Sequence, residues 1–265
     1  MSPASFDKKR VADSFSRAAC SYDSVAELQR DVGHELLKRL PNVTPQVIMD
    51  LGSGTGYFTP RLKQRYPEAF TISLDLAEGM LNFSREKRPL ENTVWLCGDA
   101  ECLPLADNSV DLIFTSLAIQ WCEQTDKLFA EIARVLKPGG QFIFSTLGPD
   151  TLHELRSAWA QVDDQVHVNE FIDWRDLHAA VPDLLRVESL ETEYRVCRYA
   201  RLRELTNELK GIGAHNMNAG QPSGLTGRAR IKAFSDAYET QRHPEGYLPA
   251  TYHVYYGVLV RQQTN

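Results

Sequence analysis

Three carboxylates and a run of alternating glycines are the side chains of this sequence whose type and spacing could bind a ligand. An apolar segment ends in Asp50 and continues into Gly52, Gly54 and Gly56. Glycine has no Cβ and tolerates positive φ, so such a turn brings backbone amides close to a ligand. A helix predicted to start near Tyr57 would direct its N-terminal amides to the same place. The alternative, a plain tight turn, does not explain the acids that follow.

The residues around this turn favour S-adenosylmethionine over a dinucleotide. Tyr57 stands where a third dinucleotide-type glycine would be needed, and no Gly-Lys-Ser/Thr phosphate loop follows. Asp75 ends the predicted second strand, where a carboxylate can accept from both ribose hydroxyls. Asp99 follows the third strand and can accept from an adenine amino group, while Ala100 offers its N–H. The predicted cofactor-binding residues are Asp50, Gly52, Gly54, Gly56, Asp75, Leu76, Met80, Asp99, Ala100, Ser116 and Leu117.

Composition excludes several other classes of function. The 265 residues are 43% hydrophobic and 24% charged, which is ordinary for a soluble globular protein. The net charge of −6 argues against a nucleic-acid partner. No apolar run approaches the roughly 18 residues of a membrane span, and the N-terminus lacks the apolar stretch of a signal peptide. The five cysteines form no C-x-x-C pair, which predicts free thiols in the cytoplasm and no metal site.

Strands and helices alternate through the first part of the chain. Residues 7–40 have helical periodicity. Strands are predicted near 47–51, 70–74, 93–97, 110–116 and 140–146. Helices are predicted between them, near 57–66, 77–86, 125–136 and 150–161. This alternation predicts right-handed βαβ units and a parallel sheet with helices on both faces.

The later part of the chain is predicted to complete the sheet. Its predicted elements are a strand at 184–196, a helix at 202–209, a loop at 211–227, a helix at 231–238 and a strand at 247–260. We therefore expect one α/β domain over 1–265, with a Rossmann-like, seven-stranded, mostly parallel sheet and an antiparallel edge strand. The N-terminal helices (5–40) and an insert (197–246) are expected to form a cap over the ligand end of the sheet.

Three short segments identify a more specific resemblance. They are Leu-Ala-Ile-Gln-Trp-Cys at 117–122, Leu-Lys-Gly-Ile-Gly at 209–213 and Thr-Tyr-His at 251–253. With the glycine turn, an N-terminal Phe-Ser-Arg-Ala-Ala at 15–19 and the region 145–171, they make the chain similar to the malonyl-acyl-carrier-protein O-methyltransferases of biotin synthesis over nearly its whole length. Ser21 stands where some relatives carry histidine, which puts a general base at that position in doubt.

The resemblance implies methylation of the free carboxylate of a malonyl thioester. A carboxylate is ionised at neutral pH and is a nucleophile without a base, so the protein must mainly position the reactants and exclude water. The residues expected to do so are Tyr22, Gln120 and Trp121. The expected substrate-binding residues are Lys210, His215, Tyr252 and His253. The expected partner is malonyl-acyl carrier protein or malonyl-CoA, and the protein is expected to be a monomer. An acidic carrier would dock on a basic face formed by Arg198, Arg201 and Arg203.

Two other functions stay open from the sequence. A small-molecule methyltransferase acting on a quinone precursor or a dicarboxylate would need no basic docking face. A cofactor-binding assembly factor without activity would tolerate a degenerate site, which the intact glycines and the acids at 75 and 99 argue against. The most informative experiment is mass spectrometry of malonyl carrier protein incubated with the protein and S-adenosylmethionine, which looks for one added methyl group.

Overall fold

A seven-stranded sheet forms the centre of the computed structural model, which describes residues 7–214 and 227–263. Its strands are β1 (Val47–Leu51), β2 (Phe70–Asp75), β3 (Thr93–Cys97), β4 (Val110–Ser116), β5 (Leu136–Leu147), β6 (Leu185–Tyr199) and β7 (Leu248–Arg261). Their order across the sheet is β3-β2-β1-β4-β5-β7-β6. The predicted fold class is confirmed, since β1 to β5 pair in parallel and only β7 runs against its neighbours.

Helices precede and connect these strands. They are α1 (Lys8–Val25), α2 (Glu27–Leu37), α3 (Thr59–Arg65), α4 (Glu78–Lys87), α5 (Thr125–Val135), α6 (His153–Ala160), α7 (Trp174–Ala179), α8 (Leu202–Gly211) and α9 (Arg228–Glu239). A single 3-10 turn follows β4 at Ile119–Trp121. Within the described parts of the chain, the sequence prediction missed this turn and α7, both of which are shorter than two helical turns.

The position of the antiparallel strand differs from the prediction. β7 lies between β5 and β6, so the edge strand β6 runs in the same direction as the parallel strands. Burial explains this order. β7 is buried along almost its whole length and needs a strand on each side, whereas the side chains of β6 alternate between more and less exposed positions, as suits an edge strand. The expectation of an antiparallel edge strand is therefore wrong. The long apolar run of β7 was the signal for an interior strand.

The two faces of the sheet build two separate parts of the core. Neighbouring residues of a strand point to opposite faces, and Ile48 of β1 packs into one cluster while Met49 packs into the other. In β4, Phe114 joins the first cluster and Ile113 the second. All four side chains are at most 1% exposed. This two-sided burial holds the carboxyl ends of the central strands in fixed positions, which is where the predicted site residues lie.

The N-terminal helix α1 is fastened to α4 and α8. Ser16 Oγ accepts a hydrogen bond from the Gly79 amide at 3.1 Å, and a Cβ at Gly79 would stand 2.7 Å from the Cβ of Ser16. On the other side, Ser14 Oγ donates to the Gly213 carbonyl and Ser21 Oγ to the Gly211 carbonyl, each at 3.1 Å. Close approach through these small residues places α1 against the carboxyl ends of the strands.

Candidate active site

The glycine turn has the backbone conformation that its sequence predicts. Gly52, Gly54 and Gly56 have φ values of +67°, +55° and +74°, a region that side chains with a Cβ adopt at a cost. A Cβ on Gly52 would stand 2.3 Å from the Cβ of Ala118. Gly52 and Gly54 line a cavity, whereas Gly56 lies against Ser84 and does not. The first two glycines therefore form the wall of the site, and the third lets the chain pass α4.

Asp75 fixes this turn from the neighbouring strand. Its carboxylate accepts the Gly54 amide at 2.8 Å and the Ala77 amide at 2.7 Å. Burial raises the pKa of this carboxyl, while the amide hydrogen bonds act in the opposite direction. The side chain lines the cavity beside Leu76 and Met80. It is placed both to hold the turn and to contact a ligand.

Asp50 supports the glycine turn from behind and does not line the cavity. It is 3% exposed, accepts a hydrogen bond from Thr59 Oγ1 at 2.6 Å and does not line the cavity. Burial raises the pKa of its carboxyl to about 7, against the lowering effect of the Thr59 hydrogen bond. The bond ties the end of β1 to the first residue of α3. Asp50 can therefore act on a ligand only through the turn that it supports.

Asp99 lies on the opposite wall and is paired with a lysine of α1. Lys8 Nζ is 2.6 Å from Asp99 Oδ2 and also contacts the buried carboxylate of Glu101. Asp99 lines the cavity together with Ala100. The ion pair makes Lys8 part of this wall. The sequence prediction did not include Lys8 among the site residues. The recurrence of Lys8, Phe15 and Tyr22 at seven-residue intervals along α1 was the available signal.

These walls line a first cavity, whose empty space, including the part open to solvent, is about 820 Å3. Its lining joins α1, the glycine turn and the ends of β2, β3 and β4. The wall that belongs to β4 and the 3-10 turn contributes Ser116, Leu117 and Trp121. The lining fits S-adenosylmethionine, because the backbone of the glycine turn, two carboxylates and apolar side chains face one space without a phosphate-binding cluster.

A second cavity of about 840 Å3 adjoins the first. Four side chains line both of them, namely Phe15, Tyr22, Leu117 and Trp121. Phe15 and Trp121 meet edge to face with ring centroids 5.3 Å apart. Gln120 Nε2 donates to the Leu117 carbonyl at 2.6 Å, and Leu117 itself has a positive φ of +50°. A non-glycine residue held in this conformation marks a local strain of the kind found at functional sites.

Tyr22 is one of the four side chains that line both cavities. The ring packs with Ala19, Ala77 and Met80. Burial, with added repulsion from Asp75 and Asp23, raises the pKa of the Tyr22 phenol well above its usual value. The group is therefore a protonated hydrogen-bond donor at every pH at which the protein would be assayed.

The remaining predicted residues are divided between the second cavity and other regions. Lys210, Tyr252 and Gln120 line it. His253 lines neither cavity; its Nε2 is 2.8 Å from Thr192 Oγ1 and its ring stacks on Tyr194 at 4.3 Å. His215 lies outside the described residues. The predicted docking residues lie on the exposed surface near the start of α8, namely Arg198, Arg201 and Arg203.

Comparisons with known proteins agree with this geometry. Residues 49–144 match a family model described as a methyltransferase domain. A putative methyltransferase from Bacillus halodurans has the same fold, with a TM-score of 0.63 at 14% identity, covering 87% of this chain and 98% of that one. No helix among residues 7–214 and 227–263 is both long enough and apolar enough to span a membrane.

Sequence relatives narrow the assignment. The chain is 54% identical to the biotin biosynthesis bifunctional protein BioHC of Cellvibrio japonicus, covering 96% of this chain but only 50% of that protein. It is 43% identical to the malonyl-[acyl-carrier protein] O-methyltransferase of Hahella chejuensis, covering 96% of this chain and 90% of that one. The chain thus spans half the length of the first relative and nearly all of the second. It belongs to the malonyl-[acyl-carrier protein] O-methyltransferase family.

Proposed function

We propose that this protein transfers a methyl group from S-adenosylmethionine to the free carboxylate of malonyl-acyl carrier protein, with malonyl-CoA as a second acceptor, in an early step of biotin synthesis. The observation that carries this proposal is that two cavities adjoin each other and share four lining side chains. One reactant in each cavity would place the reacting atoms at the boundary. The name of the Hahella chejuensis relative gives the acceptor, and the lining of the first cavity supports S-adenosylmethionine as the donor.

The charges of the two cavities differ in the sense that this reaction needs. The first has Asp75 in its wall, together with the ion pair of Asp99 and Lys8, and the Asp75 carboxylate suits a cationic sulfonium donor with an amino group. The described wall of the second contains no carboxylate and includes Lys210, whose ammonium group suits an anionic acceptor. This difference in charge favours the donor in the first cavity and the acceptor in the second.

Methyl transfer requires little acid–base chemistry from the protein. S-adenosylmethionine, when bound, supplies a methyl group on a sulfonium sulfur; the new C–O bond forms as the C–S bond breaks, its electron pair stays on sulfur, and no proton moves. The chain's own contribution is to hold the carboxylate and exclude water. We propose that Tyr22 donates to the carboxylate, that Gln120 and Trp121 shape its position, and that Lys210 and Tyr252 contact the remainder of the acceptor.

The decisive test is mass spectrometry of malonyl carrier protein after incubation with the protein and S-adenosylmethionine. We expect a gain of one methyl group on the malonyl group of the carrier. A methylated dicarboxylate or quinone precursor with an unmodified carrier would support the small-molecule function instead. Cofactor binding without methylation of any of these acceptors would support the assembly factor.

We expect the rate of methyl transfer to be nearly constant between pH 6 and pH 8. The acceptor carboxylate is already ionised in this range, and the raised pKa of Tyr22 keeps its phenol protonated. Single-turnover rates at saturating concentrations of both substrates measure this. A steep loss of rate toward pH 6, in protein that circular dichroism shows to be folded, would indicate a general base near pH 7 and contradict the proposal.

We also propose that 5–40 and 197–246 form a cap on one catalytic domain and that its basic surface docks the carrier. The double charge reversal Arg201→Glu and Arg203→Glu should raise KM for malonyl carrier protein by about 3- to 30-fold and leave KM for malonyl-CoA nearly unchanged. The effect should shrink at high salt.

Exposed arginines elsewhere on the surface give the matched control. Arg175→Glu with Arg186→Glu makes the same charge change away from α8. Equal losses with both malonyl substrates would place Arg201 and Arg203 in the acceptor channel, and no loss with either would remove them from docking.

We further propose that the protein acts as a monomer in the cytoplasm, a location that its five unpaired cysteines support.

A further inference from the structure

The second cavity is larger than the reacting end of the acceptor requires. Its volume of about 840 Å3 lies near the upper end of the roughly 300–1,000 Å3 of most small-molecule sites. A malonyl group has only a few heavy atoms. Much of the wall is aliphatic, with contributions from Leu152, Leu155 and Leu209. The cavity is therefore suited to a long, flexible molecule that enters past apolar side chains.

Three side-chain amides interrupt this apolar wall, and each has an oxygen without a hydrogen-bond partner. These atoms are Gln29 Oε1, Gln120 Oε1 and Asn169 Oδ1, all of them in residues that line the cavity. Asn169 is only 6% exposed. The orientation of Gln120 follows from its Nε2 donating to the Leu117 carbonyl, which leaves Oε1 as the free acceptor. A buried acceptor without a partner is costly to maintain.

Unpartnered acceptors require donors from the ligand, and a malonyl group at neutral pH has none. A carboxylate is itself an acceptor only. The pantetheine arm that carries acyl groups as thioesters contains two amide N–H groups and hydroxyl donors. Resting on the proposed function, we propose that Gln120, Gln29 and Asn169 recognise the pantetheine arm of the acceptor through its N–H and O–H donors, rather than the malonyl carboxylate.

Contacts at the two ends of the cavity give the direction of the arm. Gln120 stands next to Trp121, which also lines the first cavity, so it belongs to the inner end. Asn169 is two residues from His167, whose Nε2 is 2.9 Å from Asp163 Oδ1. Asp163 in turn accepts from Arg230 Nε at 2.7 Å, in the first turn of α9. Asn169 therefore belongs to the outer end and takes the amide farther from sulfur.

The test compares two thioesters, of which only the longer one carries this outer amide and the pantoyl group beyond it. Malonyl-pantetheine contains both amides, whereas malonyl-N-acetylcysteamine contains only the one nearer to sulfur. We expect the parent protein to prefer malonyl-pantetheine in kcat/KM by about 5- to 50-fold, the scale of satisfying a buried acceptor. In Asn169→Leu this preference should fall toward one, because the variant removes the acceptor for the outer N–H.

A surface amide supplies the control. Gln161→Leu makes the same chemical change at an exposed position outside the cavity and should keep the parent preference. Affinity for S-adenosylhomocysteine, measured by calorimetry, checks that each variant is folded. If Asn169→Leu does not fold, a malonyl-pantetheine with an ester oxygen in place of the outer amide nitrogen tests the parent protein, which should lose the same 5- to 50-fold.

The outcomes separate this inference from the proposed function. Equal efficiency with both thioesters in the parent protein, or an equal loss on both in Asn169→Leu, overturns the role of Asn169 and leaves methylation of malonyl thioesters intact. Methylation of neither thioester and of no malonyl carrier protein overturns the proposed function, and this inference with it.

Discussion

Replacing Asp75 by alanine should weaken binding of S-adenosylmethionine by about 1–3 kcal/mol, which is about 5- to 150-fold in Kd. The carboxylate has two roles that the variant removes together. It accepts the amides of Gly54 and Ala77, and it lines the first cavity where a ribose diol would need an acceptor. Calorimetric titration with S-adenosylmethionine and with S-adenosylhomocysteine measures the change.

One further variant separates the roles of Asp75, and another serves as a control. Asp75→Asn keeps one acceptor oxygen for a backbone amide but cannot accept from both hydroxyls of a diol, so its affinity should lie between those of the parent and the alanine variant. Asp126→Ala removes a carboxylate from the first turn of α5, outside the first cavity, and should leave Kd unchanged. An unaltered Kd in Asp75→Ala would remove this residue from cofactor binding.

The sequence contained enough information to predict the sheet because its signals are local. Apolar runs fix β1 to β4, and the glycines and acids follow directly at the strand ends. Parallel strands carry their carboxyl ends to one edge, so the order of these residues along the chain already places them together. The first cavity brings together two of the three glycines and the acids at 75 and 99, as that argument requires.

The second cavity was harder to predict because its walls come from distant segments. Gln29 lies on α2, Asn169 follows α6, Lys210 lies on α8 and Tyr252 lies on β7. No spacing rule links such positions, since their proximity depends on how α1 and α8 pack over the sheet. His253 shows that neighbours in sequence can also be separated by the fold. It directly follows Tyr252 but points to the other face of β7, against Thr192.

The place of Asp50 could not be predicted from its position ahead of the glycines. Sequence alone gives it the same standing as the acids that follow the second and third strands. The fold buries it and directs it to Thr59. Because burial raises the pKa of this carboxyl to about 7 from an ordinary value near 4, its contribution favours the folded state below pH 4 and is lost as the pH rises through 7.

Tyr22→Phe should lower kcat/KM for malonyl-pantetheine by about 10- to 150-fold, because a hydrogen bond to a charged group contributes about 1.5–3 kcal/mol. Phenylalanine keeps the ring that packs with Ala19 and Met80 and removes only the hydroxyl of this side chain, which lines both cavities. Kd for S-adenosylhomocysteine should change less than twofold. Steady-state kinetics and calorimetry measure the two quantities.

Removal of a hydroxyl group elsewhere shows whether this loss is specific. Tyr66 is also buried, and its hydroxyl donates to the Pro41 carbonyl at 2.7 Å, away from both cavities. Tyr66→Phe should therefore lower the melting temperature more than it lowers kcat/KM, while Tyr22→Phe should do the opposite. If Tyr22→Phe retained full kcat/KM, the carboxylate would be held by other donors, and Trp121 would be the next residue to vary. If instead both cofactor affinity and turnover fell together, the hydroxyl would support the wall at Asp75 rather than the acceptor.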